Sequence, residues 1–282
     1  MRYVILGDTG LEISELGFGG IPIIRLNMDM AIQILRRAYE RGITFYDTAN
    51  AYRDSEDKIG RAFEGMRGKI IIATKTMQRT LKTRHNLPMA VKLVKTGLFS
   101  TIQFPFNFIE DAAKNELFHA AREFGMGIIT MKPFAGGMID NAEVAIKYLR
   151  QYPDAVPIPG YDSVDSVDQV TSYYQCPNVL TDNDRELMEK YRRDLGKQFC
   201  RRCEYCQPCP NGVMITMAMA YKLVASRMSP AVSVVFSRPA MESVKLCSEC
   251  EICIERCPYE LPIPEMLKAN YELYEHHIAL SK

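Results

Sequence analysis

Residues 247–258 have the sequence CSECEICIERCP, and residues 200–210 have the sequence CRRCEYCQPCP. Two residues between successive cysteines let their thiolates turn toward one small centre. The closing proline has no backbone N–H and turns the chain away from that centre. The two runs therefore predict sulfur-held metal centres that decide the fold of the C-terminal part. Their cysteines are Cys200, Cys203, Cys206 and Cys209 in the first run, and Cys247, Cys250, Cys253 and Cys257 in the second.

The second run has the spacing C-x2-C-x2-C-x3-C-P, which bacterial two-cluster ferredoxins use to hold [4Fe–4S] clusters. In that pattern the fourth cysteine of each run ligates the cluster of the other run. One cluster would then take the first three cysteines of the first run and Cys257. The other would take the first three of the second run and Cys209. The first run has two residues rather than three before Cys209, so this second exchange departs from the pattern.

Two alternatives for the cysteines stay open. Paired C-x2-C units also hold structural zinc, although two full sets of four thiolates are present here. Disulfides are the other alternative. They are typical of small secreted proteins that are rich in cysteine throughout, whereas cysteine is sparse over the rest of this chain.

Composition excludes several classes of protein. The chain has 282 residues, 47% hydrophobic and 24% charged, with a net charge of +1. Basic residues form no stripe of the kind that binds nucleic acid. No apolar run approaches the roughly 18 residues of a membrane span. The first residues lack the charged and then apolar regions of a signal peptide. We expect a cytoplasmic protein, in a cell with little oxygen, that binds neither nucleic acid nor membrane.

Upstream of the cysteines, short apolar segments alternate with amphipathic ones. Residues 2–14 predict a hairpin, and Asn27 can cap a helix whose apolar positions recur at helical spacing. Strand followed by helix, repeated, indicates a parallel sheet of the (β/α)8 TIM-barrel type. The predicted strands are 16–20, 43–47, 69–75, 101–106, 127–132 and 155–159. The predicted helices are one after Asn27, then 55–64, 87–97, 111–124, 140–151 and 182–195.

The strand count is six, whereas a closed barrel of this class has eight. The deficit falls between Lys75 and Leu87, where strands 4 and 5 would be expected. Either the protein lacks two βα units or residues are missing from the sequence in this interval. The expected domains are an α/β barrel at residues 1–195 and a small α-helical, ferredoxin-like domain at residues 196–282.

Residues 45–52, FYDTANAY, resemble the aldo-keto reductases. The resemblance covers about residues 1–195, and the cysteine region that follows resembles the ferredoxin-like tail of one branch of that family. The short matches are weak singly and specific in their order. Beyond residues 45–52 they are Ser55-Glu56, Ile59-Gly60, Ala73-Thr74-Lys75, Gln103, Lys132-Pro133 and Ile158-Pro159-Gly160.

The family reduces carbonyls with a nicotinamide cofactor and an Asp, Tyr, Lys, His tetrad. The resemblance implies that Asp47, Tyr52 and Lys75 are the first three members. A phenol can protonate a developing alkoxide, but free tyrosine titrates near 10. A neighbouring lysine cation lowers that pKa, and an aspartate can hold the lysine. Each residue also has a structural alternative: a turn cap for Asp47, a loop aromatic for Tyr52 and a structural ion pair for Lys75.

The chain departs from the family at the cofactor site. No histidine matches the tetrad, because its strand falls in the short interval. The resemblance implies cofactor contacts at Asn86, Gln103 and Gly160, while Met131 replaces the aromatic that stacks on the nicotinamide. In the family, the segment after the last strand carries cations that hold the 2′-phosphate of NADP(H). Here this segment carries three aspartates instead, Asp162, Asp165 and Asp168. NAD(H) is therefore expected over NADP(H).

These observations predict an iron–sulfur oxidoreductase of the aldo-keto reductase family. It would reduce or oxidise a small carbonyl or alcohol substrate, with electrons passed through two [4Fe–4S] clusters and NAD(P)H as a candidate cofactor. Nicotinamide moves two electrons as hydride and each cluster moves one, so the clusters are expected to pass electrons to a redox partner protein or to a different acceptor bound in the barrel. The first alternative is an electron-transfer protein on a barrel that has lost nicotinamide-dependent catalysis. The second is a purely structural role for the metal sites.

Overall fold

The chain forms two compact units, Met1–Tyr191 and Arg192–Lys282. The structure is a computed structural model, and it describes residues 1–75, 87–196, 200, 205–226, 228–257 and 259–281. This division and the predicted boundary after residue 195 both lie within the helix Asp182–Gly196. The reductase-like role of the first predicted domain and the cluster-binding role of the second stay predictions.

The predicted N-terminal hairpin is confirmed. Strands β1 (Tyr3–Ile5) and β2 (Glu12–Ser14) pair antiparallel, with Val4 opposite Ile13. A 3-10 turn at Gly7–Thr9 joins them. Side chains alternate across a strand, so every second residue of the hairpin points to the same face.

Six parallel strands follow, each within a predicted segment. They form two sheets, ordered β3-β4-β5 and β6-β7-β8, and a parallel bridge between Gly19 and Gly160 links β3 to the end of β8. Over the described residues β5 and β6 are not paired, and the eight strands of a closed barrel are not reached. The strands are β3 (Phe18–Gly19), β4 (Phe45–Asp47), β5 (Ile71–Ala73), β6 (Thr101–Pro105), β7 (Gly127–Met131) and β8 (Ala155–Pro157).

Helices follow the strands, as the alternation predicted. The Asn27 side chain caps the first of them by accepting a hydrogen bond from the Met30 N–H at 2.9 Å. The buried positions of this helix include Ile34 and Leu35, which were predicted to face the core. The helices are α1 (Met28–Glu40), α2 (Ser55–Ala62), α3 (Leu87–Val94), α4 (Glu116–Glu123), α5 (Ala142–Leu149), α6 (Val164–Ser172) and α7 (Asp182–Gly196).

Helix α6 was missed by the sequence analysis, which considered the residues after β8 only as a cofactor-binding segment. Ser163 and Ser166 form a capping box: the Ser163 side chain accepts from the Ser166 N–H, and the Ser166 side chain accepts from the Ser163 N–H. A serine in place of the usual glutamate or glutamine at the second position hid this signal.

The hairpin contributes to the interior of the parallel strands. One buried cluster joins hairpin residues Leu6 and Ile13 to side chains of β4, β7 and the β8 region. The hairpin therefore fills the space inside the strands with apolar side chains. The buried members are Leu6, Ile13, Phe45, Ile129, Val156 and Ile158.

A glycine seam, comprising Gly7, Gly125 and Gly127, lets the hairpin turn approach the start of β7. The Asp8 N–H donates to the Gly125 carbonyl at 2.7 Å. A Cβ at Gly7 would lie 2.2 Å from the Gly127 nitrogen, and one at Gly127 would lie 2.5 Å from the Leu6 side chain. Gly7 and Gly125 also have φ of 53° and 61°, which side chains rarely adopt. Larger residues at this seam would force the two backbones apart.

The second unit is helical over its described residues, as predicted. Its core contains Tyr221 and Tyr274, whose rings meet edge to face at 5.5 Å, and Asn270, whose side chain donates to the Ala218 carbonyl at 3.0 Å. No described helix combines the length and the apolar character needed to cross a bilayer. The helices are α8 (Ile215–Met219), α9 (Tyr221–Ala225), α10 (Pro230–Ser243), α11 (Ile252–Glu255) and α12 (Ile263–Leu280).

Candidate functional site

A buried ion pair lies where two adjacent parallel strands end. Asp47 is the last residue of β4, and Lys75 follows β5 by two residues. The Lys75 ammonium donates to both carboxylate oxygens of Asp47, at 2.6 and 2.8 Å, and to the Thr48 carbonyl at 2.8 Å. The Asp47 side chain is 5% exposed and that of Lys75 38%. The lysine is thus fixed on its inner side and accessible on its outer side.

Tyr52 lies beside this pair. The Lys75 Nζ is 5.4 Å from the centroid of the Tyr52 ring, within the range of a cation–π contact. A tight turn positions the tyrosine, since its N–H donates to the Ala49 carbonyl at 2.8 Å. The structure thus brings the three predicted catalytic residues together, while their catalytic roles stay predictions.

Thr48 and Ser55 support the same loop, although sequence analysis did not identify them as site residues. The Thr48 hydroxyl is 2.9 Å from the Ser55 hydroxyl, which donates to the Gly20 carbonyl at 3.0 Å. Both side chains are buried. A Cβ at Gly20 would lie 2.8 Å from the Asp47 carbonyl oxygen. Small residues flanking the FYDTANAY motif were the available signal for this support.

Burial raises the pKa of the Asp47 carboxyl above its ordinary value. The Lys75 ammonium and a hydrogen bond from Gln103 oppose that effect. Gln103, which was predicted to contact the cofactor, therefore contacts the Asp47 carboxylate. Because desolvation disfavours the charged form, the carboxylate depends on these two partners to stay ionised.

Two other residues, Asn86 and Gly160, were predicted to contact the cofactor, and Met131 was predicted to stand where the family stacks an aromatic ring on it. Asn86 lies outside the described residues. Gly160 packs against Pro22, whose Cγ would lie 2.4 Å from a Cβ at this position. Met131 is half-buried at the end of β7 and packs against the interior cluster. Packing alone thus accounts for the glycine at position 160.

One of the three aspartates in the segment after β8 is committed to an ion-pair network. Asp168 binds Arg37 through both carboxylate oxygens, at 2.7 and 2.8 Å, and Arg41 at 2.7 Å. The hydrogen bond from Arg37, followed by that from Arg41, holds the pKa of Asp168 well below its usual range. The charge of Asp168 is therefore offset by two arginines. The predicted repulsion of a cofactor 2′-phosphate then depends on the other two aspartates, Asp162 and Asp165.

The second unit contains a cysteine pocket, which we define by the five cysteines that line it. Four of them are the set predicted for one cluster: three from the second run, and Cys209 from the first. Asn211, Ser248 and Glu251 also line it. The two runs thus meet around one concavity. The five cysteines are Cys206, Cys209, Cys247, Cys250 and Cys253.

The donor atoms of this pocket are of the kind that ligates an iron–sulfur cluster, because five cysteine side chains line it. Burial raises the pKa of the Cys253 thiol, and the nearby Cys247 and Cys250 raise it further. Over the described residues, no three His, Cys, Asp or Glu side chains gather closely enough to hold a single metal ion.

Two hydrogen bonds link the cysteine runs. The Asn211 side-chain amide donates to the Ser248 hydroxyl at 2.6 Å, and the Arg256 guanidinium donates to the Pro208 carbonyl at 3.1 Å. Sequence analysis missed these residues because spacing identifies the ligands and gives no information about the polar side chains between them.

The other predicted ligand set is described in part. Cys203 lies outside the described residues, and Cys200 and Cys257 pack against the helical core. Cys206 is 8% exposed and lines the cysteine pocket together with Cys209. Cys206 therefore lies close to the set to which it was not assigned. The ninth cysteine, Cys176, is exposed and belongs to neither run.

Two family models match the chain. The aldo/keto reductase family matches residues 15–98, and the 4Fe-4S dicluster domain matches residues 199–262. The first interval contains β3 to β5 and the ion pair described above. The second contains all eight predicted cluster ligands, from Cys200 to Cys257.

Among curated proteins, the aldo-keto reductase YhdN of Bacillus subtilis is 38% identical over 85 residues. That match covers 27% of this chain and 26% of YhdN, so the chain matches only about a quarter of the length of this relative.

Solved structures resemble the chain over a larger part. The holo form of aldo-keto reductase AKR11C1 from Bacillus halodurans aligns with a TM-score of 0.55 and 16% identity, covering 68% of this chain and 96% of that one. An aldo-keto reductase from Klebsiella pneumoniae in complex with NADPH aligns with a TM-score of 0.54 and 14% identity, with the same coverage. At these identities the likeness establishes a fold of the TIM-barrel type. It does not establish the number of strands in this chain.

Proposed function

We propose that this chain, which carries an aldo/keto reductase domain followed by a C-terminal 4Fe-4S dicluster domain, is an iron–sulfur oxidoreductase. Its substrate is a small carbonyl compound or the corresponding alcohol. The barrel residues Asp47, Tyr52 and Lys75 carry the proton chemistry. The eight cysteines of the two runs hold two [4Fe–4S] clusters, and a separate redox protein exchanges electrons with them.

One observation carries the catalytic part of the proposal. The Lys75 ammonium is fixed by both oxygens of a buried aspartate and lies 5.4 Å from the ring of Tyr52. A merely structural ion pair does not require a tyrosine at its accessible side. The three residues also lie at or beyond the C-terminal ends of parallel strands, where barrel enzymes keep their reactive groups.

The residues divide the work as follows. A reduced nicotinamide, when bound, supplies a hydride to the carbonyl carbon. The Tyr52 hydroxyl gives its proton to the carbonyl oxygen, which becomes the alcohol. Lys75 stabilises the negative charge left on the phenol oxygen. Asp47 keeps the lysine in place, and its own burial makes that position rigid.

The cysteine part rests on the pocket that both runs line. Cys209, Cys247, Cys250 and Cys253 supply one set of four thiolates, and the remaining four cysteines supply the second set. Clusters held this way exchange single electrons. Because a hydride carries two electrons and each cluster takes one, the clusters exchange their electrons one at a time with the separate redox protein.

Replacement of one hydroxyl tests the catalytic assignment. The protein is purified without air, and 4-nitrobenzaldehyde is reduced with NADH or NADPH as the donor. We expect Tyr52→Phe to lower kcat by about 10²–10⁴, because general acid catalysis contributes on this scale, and to leave KM within a few-fold.

Tyr3→Phe is the matched control, because Tyr3 is exposed on the hairpin and its hydroxyl donates to the Gly42 carbonyl, away from the candidate site. Its kcat should stay at the wild-type value. Equal rates for the two variants, with iron content unchanged, would show that the phenol of Tyr52 does not take part.

A second candidate is an electron-transfer protein whose barrel no longer uses nicotinamide. It is favoured by Asp162 and Asp165 where the family carries cations, and by the six strands described. Titration with NADH and NADPH, followed by nicotinamide fluorescence, separates the two candidates. If neither nucleotide binds to the iron-loaded protein, the hydride-transfer proposal fails and the second candidate replaces it.

A further inference from the structure

The hydrogen bond between Asn211 and Ser248 lies at the cysteine pocket, next to two of the predicted ligands. Asn211 follows Cys209 by two residues, and Ser248 lies directly after Cys247. Both side chains line the cysteine pocket, and the amide of the first donates to the hydroxyl of the second at 2.6 Å. The bond therefore joins the two runs at the concavity where their thiols meet.

The direction of this bond determines what the serine can do. A hydroxyl has one proton to donate and two lone pairs. The Ser248 oxygen accepts from Asn211, and within the described part of the chain no acceptor is found for its own proton. The pocket that Ser248 lines offers sulfur as an acceptor, from Cys209, Cys250 and Cys253 among others.

We propose that the Ser248 hydroxyl donates a hydrogen bond to a sulfur of the cluster in this pocket, and that Asn211 orients it. The inference rests on the proposed function, because it requires that a cluster is bound. Ser248 is then a residue that sets the reduction potential of one cluster.

The sign of the effect follows from charge. Reduction adds one electron to the cluster, and a hydrogen-bond donor stabilises the more negative state more strongly. Hydrogen bonds to cluster sulfur are among the terms that set these potentials. Both side chains are exposed, so water competes with the serine and limits the size of the effect.

The alternative role for the pair is purely mechanical. In that case the Asn211–Ser248 bond only holds the two runs together. Its loss would then lower the iron content or the stability of the second unit, and the clusters that remain would keep their potential. Iron content and potential are separate measurements, so the two roles can be distinguished.

The test is a reductive titration of the full-length, iron-loaded protein without air, followed by EPR. We expect Ser248→Ala to make one of the two midpoint potentials more negative, at most by a tenfold change in the reduction equilibrium, which is about 59 mV for one electron. Ser248→Thr keeps the hydroxyl and should restore the wild-type potential. Asn211→Asp offers an acceptor that draws the serine proton away, and should shift the potential in the same direction as Ser248→Ala.

Ser226→Ala is the matched control, because Ser226 is an exposed serine of the same unit that donates to the Leu223 carbonyl. It should leave both potentials unchanged. An unshifted potential in an iron-loaded Ser248→Ala protein overturns the inference, as does a loss of iron with no shift in the clusters that remain. A wild-type protein without iron overturns the cluster proposal itself, and it is recognised before any variant is measured.

Discussion

The two units of the chain are built in different ways. The first packs parallel strands and helices around buried aromatic and aliphatic side chains, including Phe106 and Phe118 with rings 4.7 Å apart. In the second, three of the described helices have only four or five residues, and the other two have fourteen and eighteen. Its core includes Cys206 and is bordered by five other cysteines of the two runs. Short helices are marginal without tertiary support.

The difference teaches where each unit gets its stability. In the first unit the burial of apolar surface is sufficient, and no proposed cofactor belongs to its core. In the second, the proposed ligands are part of the packing, so we expect binding of the clusters to be coupled to folding. The following expectations test that contrast, beginning with the largest effect.

Loss of a cluster ligand should destabilise the second unit and leave the first intact. We expect Cys253→Ala to lose about half of the iron, since one of two four-iron clusters loses a ligand. Hydrogen exchange should then show loss of amide protection in α8, α10 and α12. Protection in β4 and β7 should persist, because the packing of the first unit does not involve iron.

Cys176→Ala is the control for this experiment, because Cys176 is exposed and lies outside both runs. Its iron content and its exchange pattern should match those of the wild type. Equal loss of iron in the two variants would contradict the ligand assignment. Loss of protection in the strands as well as in the helices would show that the two units do not differ as described.

A cavity in the first unit should give the opposite pattern. Phe118 is fully buried and packs on Phe106, so Phe118→Ala should cost about 3–5 kcal/mol of unfolding free energy. Iron content should not change. Denaturant unfolding and iron analysis measure the two quantities separately. Phe124→Ala, at a position 40% exposed, should cost much less; similar costs for the two would mean that burial is not what stabilises this region.

The smallest effect concerns the surface of the first unit. Asp168→Asn removes the partner of Arg37 and Arg41, and the loss should be small because exposed ion pairs contribute little. The pKa of Asp168 is depressed in the folded state, so its contribution is complete above the unfolded value of about 3.9 and is lost as pH falls below it. Thermal unfolding should therefore show a wild-type advantage at pH 7 that shrinks below about pH 4. An advantage independent of pH would exclude the carboxylate as its source.

The sequence predicted the first unit well where apolar spacing is regular. Helix α1 and the six strands follow from buried residues at helical spacing and from short apolar runs. Helix α6 was missed because Ser166 stands where a glutamate or glutamine usually completes a capping box. The pairing of β3 with the end of β8, through Gly19 and Gly160, depends on contacts far apart in sequence and cannot be obtained from local patterns.

The candidate sites divide in a similar way. The resemblance to the aldo-keto reductases was enough to nominate Asp47, Tyr52 and Lys75, whose catalytic roles stay predictions. The contact of Gln103 with Asp47, and that of Asp168 with two arginines, required the fold, because the residues of each pair come from separate elements. Spacing likewise selected the cysteines, but it could not show that Cys206 and Cys209 line the same pocket.

The glycine seam has a consequence for the order of events while the protein is made. Residues 2–14 emerge from the ribosome before β7 does, and their place against β7 exists only after residue 131 has been added. That delay is roughly 6–23 s at 5–20 residues per second. During it, Leu6 and Ile13 lack the β7 and β8 side chains against which they pack, so the hairpin segment is open to chaperones and to wrong partners.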